Sequence, residues 1–348
     1  MRTKDNRLLI VAGPCSAESE EQVFETANSL QKIGTSIFRA GLWKPRTHPN
    51  SFSGVGAKGL PWLQRVQDEI GLPVATEVAT PEHVRLCMEH SIRVLWIGAR
   101  TTTNPFMVQQ IADEIASIKG EKPMLLIKNP ISPDINLWLG AIERFQKVGA
   151  TDIIAVHRGF YSTYSAPLRN MPCWAIPIEL KRILPDIPII CDPSHITGNA
   201  NMVPDMAFQA LQIGFDGLMI ECHKHPEQAL SDAEQQITPE QLGAILRTIH
   251  SRTDGNNATN NSDTVLISKR KQIDEIDNEL WQLIAKRLDI AQEIGEYKRD
   301  HSLPIFQSAR YNDILKKRLD WGNQHNISEA AIQKIIEILH EESIRRQL

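Results

Sequence analysis

Apolar runs in the first 250 residues end, one after another, in side chains that bind metals or anions. In order these are Cys15; Arg39, followed by Lys44 and Arg46; Glu77; Arg100; Lys128; His157 and Arg158; Asp192 and His195; and Glu221 and His223. One subset combines a thiol, an imidazole and carboxylates: Cys15, His195, Glu221 and, in "LSDAEQQ", Asp232. That donor set suits a divalent transition ion such as manganese, iron, cobalt or zinc better than magnesium. On spacing alone His223 and His225 compete with His195 for the imidazole place. A lone buried cysteine usually acts as a small hydrophobe; Cys87 is read that way, and Cys15 stands out only through its companions. The other subset is cationic: Arg39, Lys44, Arg46, Arg100, Lys128 and Arg158. Six cations gathered at one place repel each other unless anions bind there, and guanidinium forks with lysine point charges are the usual holders of phosphate and carboxylate.

Gathering them requires a scaffold that brings many strand ends to one face. The runs "LLIVAGPCS", "SIFRAGL", "PVATEV", "VLWIGAR", "PMLLIKNP", "IIAVHRG", "IPIICDPS" and "GLMIECH" alternate with amphipathic stretches such as 18–33, 81–90, 104–118 and 134–148. Strand–helix alternation implies right-handed βαβ units on a parallel sheet. Eight units over residues 1–250 fit an α/β fold of the (β/α)8 barrel type, whose chemistry sits at the C-terminal strand ends. A doubly wound open sheet is the alternative, but no GxGxxG or Walker motif opens any unit. Residues 251–264, "SRTDGNNATNNSDT", read as a flexible polar linker. From 265 to 348 the pattern is helix only, with apolar positions at Ile273, Ile276, Leu280, Leu283, Ile284, Leu288 and Ile294. Further helices are expected from Ser308 to Trp321 and from Ser328 onward. Three helices with one very long member cannot cover that apolar face alone, so an intertwined dimer is expected.

The formal net charge of −4 gives no basic footprint for nucleic acid. Five scattered cysteines make a poor disulfide framework, and no run is long enough to span a membrane. A cytoplasmic protein is expected.

The ordered motifs "GPCS", "FRAG…KPRT", "ATEV", "IGAR", "LLIKN", "RG", "DPSH", "IEC" and "SDAEQQ" resemble the short-form (type I beta) 3-deoxy-D-arabino-heptulosonate 7-phosphate (DAHP) synthases. The resemblance implies a transferase that condenses phosphoenolpyruvate with erythrose 4-phosphate, the entry step of the shikimate pathway to aromatic amino acids. It implies that Cys15, His195, Glu221 and Asp232 hold the metal, and that Lys44 reaches the reacting ends of both substrates. Arg46 and Thr47 would hold the erythrose phosphate. Arg100, Lys128 and Arg158 would bind the phosphoenolpyruvate phosphate, Arg39 with Lys44 its carboxylate side, and Glu77 would position a water near the metal. A sibling family making an octulosonate from arabinose 5-phosphate shares the barrel; "KPRT" resembles the heptulosonate version of the loop.

The stretch 265–348 resembles the all-helical bacterial chorismate mutases through Arg270 in "SKRKQID", Arg287 in "AKRLDIA", Lys298 in "EYKRD", Arg310 in "QSARY", Ser343 and Gln347. That implies an isomerase turning chorismate into prephenate in a homodimer or higher homo-oligomer. Such a pericyclic reaction needs a pocket that holds the reactive conformer and stabilises charge on the ether oxygen. Arg287 and Arg270 of the partner subunit would hold carboxylates, while Lys298 and Gln347 would donate to the ether oxygen. The family often carries acids near Gln307 and Tyr311, and this chain does not. The first strand begins near Leu8 with no folded module expected ahead of it, so the helical unit is the expected source of allosteric feedback on the synthase. A non-catalytic regulatory or dimerisation tail is the alternative.

Overall fold

A computed structural model describes residues 8–44, 51–162, 167–255 and 261–348. Eight parallel strands close into a barrel in sequence order: β1 (Leu9–Gly13), β2 (Ile37–Arg39), β3 (Val74–Val78), β4 (Val94–Ile97), β5 (Met124–Lys128), β6 (Ile153–His157), β7 (Ile189–Cys191) and β8 (Gly217–Glu221). The seam is closed by β1 against β8, in register from Leu9↔Gly217 to Gly13↔Glu221. One longer helix follows each strand: α1 (Glu20–Gln31), α2 (Leu60–Arg65), α3 (Pro81–Glu89), α4 (Pro105–Ser117), α5 (Ile135–Lys147), α6 (Ala175–Ile183), α7 (Val203–Ile213) and α8 (Pro239–Gly255). Their starts are chemically marked. Ser19, Thr80, Asn104 and Asp134 each cap a helix by accepting from backbone amides of the first turn, and Pro81 and Pro105 occupy positions where no amide partner is needed.

Pleating decides what reaches the mouth. Successive side chains on a strand point to opposite faces, and the barrel interior is filled by Val11, Ile37, Ala75, Leu126, Val156, Ile190 and Met219 among others. Two residues further along, on the same face, stand Gly13, Arg39, Glu77, Lys128, Arg158, Asp192 and Glu221. The intervening residues pack outward under the helices. His157 obeys this parity and lies outside the barrel among Trp138, Phe160, Trp174 and Phe215. The sequence expectation that it faces the mouth beside Arg158 is therefore corrected.

The chain divides into two compact units, 1–256 and 257–348. The polar stretch 251–264 is helical at both ends, since α8 runs to Gly255 and the next helix begins at Asn261; 256–260 lie outside the described residues. Helical backbone bonding needs no apolar side chain, so composition alone could not mark those ends. The second unit has three helices: α9 (Asn261–Asp300), α10 (Ser308–Gln324) and α11 (Glu329–Gln347). Gly295 lets α9 approach α11 closely, because a Cβ there would lie 2.6 Å from the Gln347 Cα. At 1.5 Å per residue α9 is about 60 Å long, and Ile273, Ile276, Leu280 and Leu283 form an exposed stripe on it.

Candidate active sites

At the barrel mouth, ligand atoms of Cys15, Glu221 and Asp232 all lie within 4.8 Å of one another. Asp232 is brought there by a left-handed backbone conformation (φ 47°), which short polar side chains tolerate better than most. The Cys15 thiol donates to Asp232 Oδ2 at 3.1 Å, and burial, then Glu221, pushes its pKa up to about 12. His195 stands at the end of this cluster, its Nε2 3.7 Å from Glu221 Oε1. Its Nδ1 is held by the buried Asp192 carboxylate at 2.8 to 3.0 Å. Fixing one ring nitrogen leaves the other directed at the cluster, the arrangement that orients a metal-bound imidazole. Thiol, imidazole and two carboxylates thus converge, and a divalent ion fits the donor set.

Cations balance these acids. Arg39, 1% exposed, donates to Glu221 Oε1 at 3.1 Å and lies 4.6 Å over the Trp96 ring. Lys44 Nζ reaches the Cys15 sulfur at 3.0 Å and carbonyl at 2.9 Å. Burial alone would raise the Glu221 pKa, but His195, Arg39 and Lys44 outweigh it and hold it down. Asp192 is held well below the usual carboxylate range: burial opposes this, and His195 and Lys128, the latter at 2.9 Å, prevail.

Above this floor opens a cavity of 340 Å³ lined by Lys44, Glu77, Arg100, Lys128, Arg158 and Arg169, with His195 and Asp232 at its edge. Arg39 belongs to the floor and not to the lining. Arg158 is oriented from two sides, its backbone amide donating to Asn129 Oδ1 at 2.7 Å and its guanidinium to Asn170 Oδ1 at 2.8 Å; burial lowers its pKa to about 10. Glu77 fits because Gly98 faces it on β4's extension: a Cβ there would lie 2.0 Å from Glu77 Oε1. Arg46 and Thr47 lie outside the described residues. Among the competing histidines, His223 Nε2 is 3.9 Å from Glu18 and not in the cluster, and His225 is 3.8 Å from Glu227.

Sequence reading passed over two residues here. Arg169 donates to Asp232 Oδ1 at 3.0 Å and to Gln235 Oε1 at 2.6 Å, and Gln235 donates to Glu221 Oε2 at 2.6 Å. Asp192, named in the sequence at the end of the seventh run, holds His195 and Lys128, a role its position did not assign.

The helical unit has its own pocket, 490 Å³, between α9, α10 and α11. It brings together Arg287, Lys298, Arg310, Ser343 and Gln347. Arg287 donates to Ser343 Oγ at 2.6 Å, and Lys298 to Gln347 Oε1 at 3.0 Å. Arg310 also pairs with Asp313. Arg270 does not line it. Seventeen residues of helix separate Arg270 from Arg287, about 25 Å, beyond the reach of one arginine.

Comparison with known proteins follows the same division. Residues 1–255 match the model of the DAHP synthetase I family, and residues 269–348 match that of chorismate mutase type II. A phospho-2-dehydro-3-deoxyheptonate aldolase from Thermotoga maritima is 34% identical over 228 residues, 66% of this chain and 64% of that protein. A 2-dehydro-3-deoxyphosphooctonate aldolase from Variovorax paradoxus is 27% identical over 70% of this chain and 90% of its own length. The crystal structure of a Thermotoga maritima DAHP synthase superposes with a TM-score of 0.63 at 29% identity, covering 71% of this chain and 69% of that one. The chain spans less than two thirds of the first of these relatives, whose remainder has no counterpart in the matched stretch. By the match over 1–255, the chain belongs to the DAHP synthetase I family, and it carries in addition a helical segment matching chorismate mutase type II.

Proposed function

We propose that the chain is a bifunctional enzyme of aromatic biosynthesis, its barrel making DAHP and phosphate from phosphoenolpyruvate and erythrose 4-phosphate, its helical unit converting chorismate to prephenate. The observation that carries the first half is the juxtaposition of a thiol–imidazole–dicarboxylate cluster with a cavity lined by five cations. Cys15, His195, Glu221 and Asp232 hold a divalent ion, manganese by preference with iron, cobalt or zinc as substitutes, which supplies Lewis acidity towards the sugar's aldehyde oxygen. Arg100, Lys128 and Arg158 hold the phosphoenolpyruvate phosphate, and Arg39 and Lys44 its carboxylate side. Arg46 and Thr47 hold the far phosphate of the sugar. The enol carbon bonds to the aldehyde carbon, water positioned by Glu77 adds to the resulting cationic carbon, and the tetrahedral ester expels phosphate.

In the helical unit Arg287 and Arg310 hold the dicarboxylate together with Arg270 of the partner subunit, Ser343 orients Arg287, and Lys298 and Gln347 face the ether oxygen. Chelator-treated protein assayed for phosphate release should be inactive, and should recover with manganese on erythrose 4-phosphate but not on arabinose 5-phosphate. Turnover without added metal, or equal turnover of both sugars, would sink the barrel assignment. Lys298→Ala should abolish chorismate consumption and spare the synthase; an unchanged mutase rate would remove Lys298 from the site, and no chorismate consumption by the wild type would leave the unit a non-catalytic dimerisation or regulatory module.

A further inference from the structure

Among the described residues, one buried polar atom of the helical unit's pocket has no hydrogen-bond partner. His340 Nε2 is buried and without a hydrogen-bond partner, and the residue lines the pocket. His340, Ser343 and Gln347 fall at i, i+3 and i+7 on α11, so the face that meets Arg287 and Lys298 also presents this imidazole. Its ring is packed 4.6 Å from Tyr311 and edge-on to Phe306 at 5.8 Å, which fixes its orientation before any ligand arrives.

Resting on the mutase reading above, we propose that His340 Nε2 is a specificity-determining contact that binds the ring hydroxyl of chorismate. The substrate presents two carboxylates, an ether oxygen and one hydroxyl. Arginine and lysine answer the first three and have no acceptor to offer the hydroxyl proton. Among the described residues no aspartate or glutamate lines the pocket. The Ser343 and Gln347 oxygens already accept from Arg287 and Lys298, and Gln307 is exposed at the start of α10. Burial, then Arg287 and Lys298, holds the His340 pKa below its ordinary value, so the imidazole is neutral near pH 7 and has one nitrogen that accepts and one that donates. A buried unpaired nitrogen costs stability unless a ligand satisfies it.

The test compares kcat/KM for chorismate and for its 4-deoxy analogue, using the full-length chain. The wild type should prefer chorismate by about tenfold to a hundredfold. His340→Leu should bring the ratio close to one while the DAHP synthase rate and the melting temperature hold or rise, and His340→Gln should restore part of the preference. Should His340→Leu fold poorly, His340→Gln decides alone: an intermediate ratio supports the contact, and a wild-type ratio overturns it. A wild-type enzyme indifferent to the hydroxyl, or a preference undiminished in His340→Leu, overturns the assignment while leaving the mutase reading intact. No conversion of chorismate by the wild type overturns both.

Discussion

Cys15 is the residue on which the metal assignment turns, because its thiol is the soft member of an otherwise hard donor set. Cys15→Ser keeps the volume nearly unchanged and replaces sulfur by a weakly coordinating hydroxyl. Titration calorimetry with manganese should show affinity falling on the order of a hundredfold, with the synthase rate falling in step and far-ultraviolet circular dichroism unaltered. Equal affinity for the ion in both proteins would remove Cys15 from the ligand set. The environment explains why a sequence could point to this residue but not to its supports. Cys15 ends an apolar run in plain view. Arg169, which pins Asp232 and Gln235, sits in a loop 63 and 66 residues away in sequence from the side chains it holds. Only the folded chain brings them together, and no local pattern of residue types announces such a contact.

The strands and helices were more legible, since hydrophobic periodicity fixes an element and pleating fixes its faces. Strand parity alone sends Arg39, Glu77, Lys128, Arg158, Asp192 and Glu221 into the mouth, each two residues beyond an interior apolar side chain. It also turns His157 away, although its neighbour Arg158 faces the mouth, because adjacent side chains on a strand point to opposite faces. The consequence is measurable. His157 is fully buried among aromatic rings, and burial holds its pKa at about 3, against a contrary pull from the Pro172 carbonyl. In the unfolded chain histidine titrates near 6.5. Its folded pKa is depressed, so the unfolded state binds the extra proton as pH falls, and stability present above about pH 6.5 is lost progressively towards pH 3. Between pH 8 and pH 5 this one group removes about 2 kcal/mol. His157→Phe should be free of that loss, and urea midpoints at the two pH values measure the difference. A variant as acid-sensitive as the wild type would show that the imidazole is not buried neutral.

At the scale of the whole molecule, two units with unrelated site chemistry share one chain. The exposed stripe of Ile273, Ile276, Leu280 and Leu283 on α9 leaves apolar area in water that a second copy would cover. Arg270, too far along the same helix to reach its own chain's pocket, is then free to serve another copy. Ile276→Glu should therefore shift the sedimentation coefficient towards the monomer and remove mutase activity together. Feedback is a further prediction of the proposed function. On that reading prephenate, the product assigned to the helical unit, lies downstream of the barrel's reaction, and a ligand that binds two states of the helical unit unequally would shift any equilibrium they share with the barrel. A coupling of about 1–3 kcal/mol suffices for five- to more than a hundredfold inhibition. The decisive measurement is prephenate titrated into the synthase assay of the intact chain, of Arg287→Ala and of a chain ending at Gly255. Inhibition should appear only in the first. The Arg287→Ala protein keeps both units and loses one carboxylate holder, so an undiminished response there would place the effector outside the mutase pocket. A response in the shortened chain would place it on the barrel itself, where the cationic mouth offers a second dicarboxylate site and inhibition would be competitive with phosphoenolpyruvate.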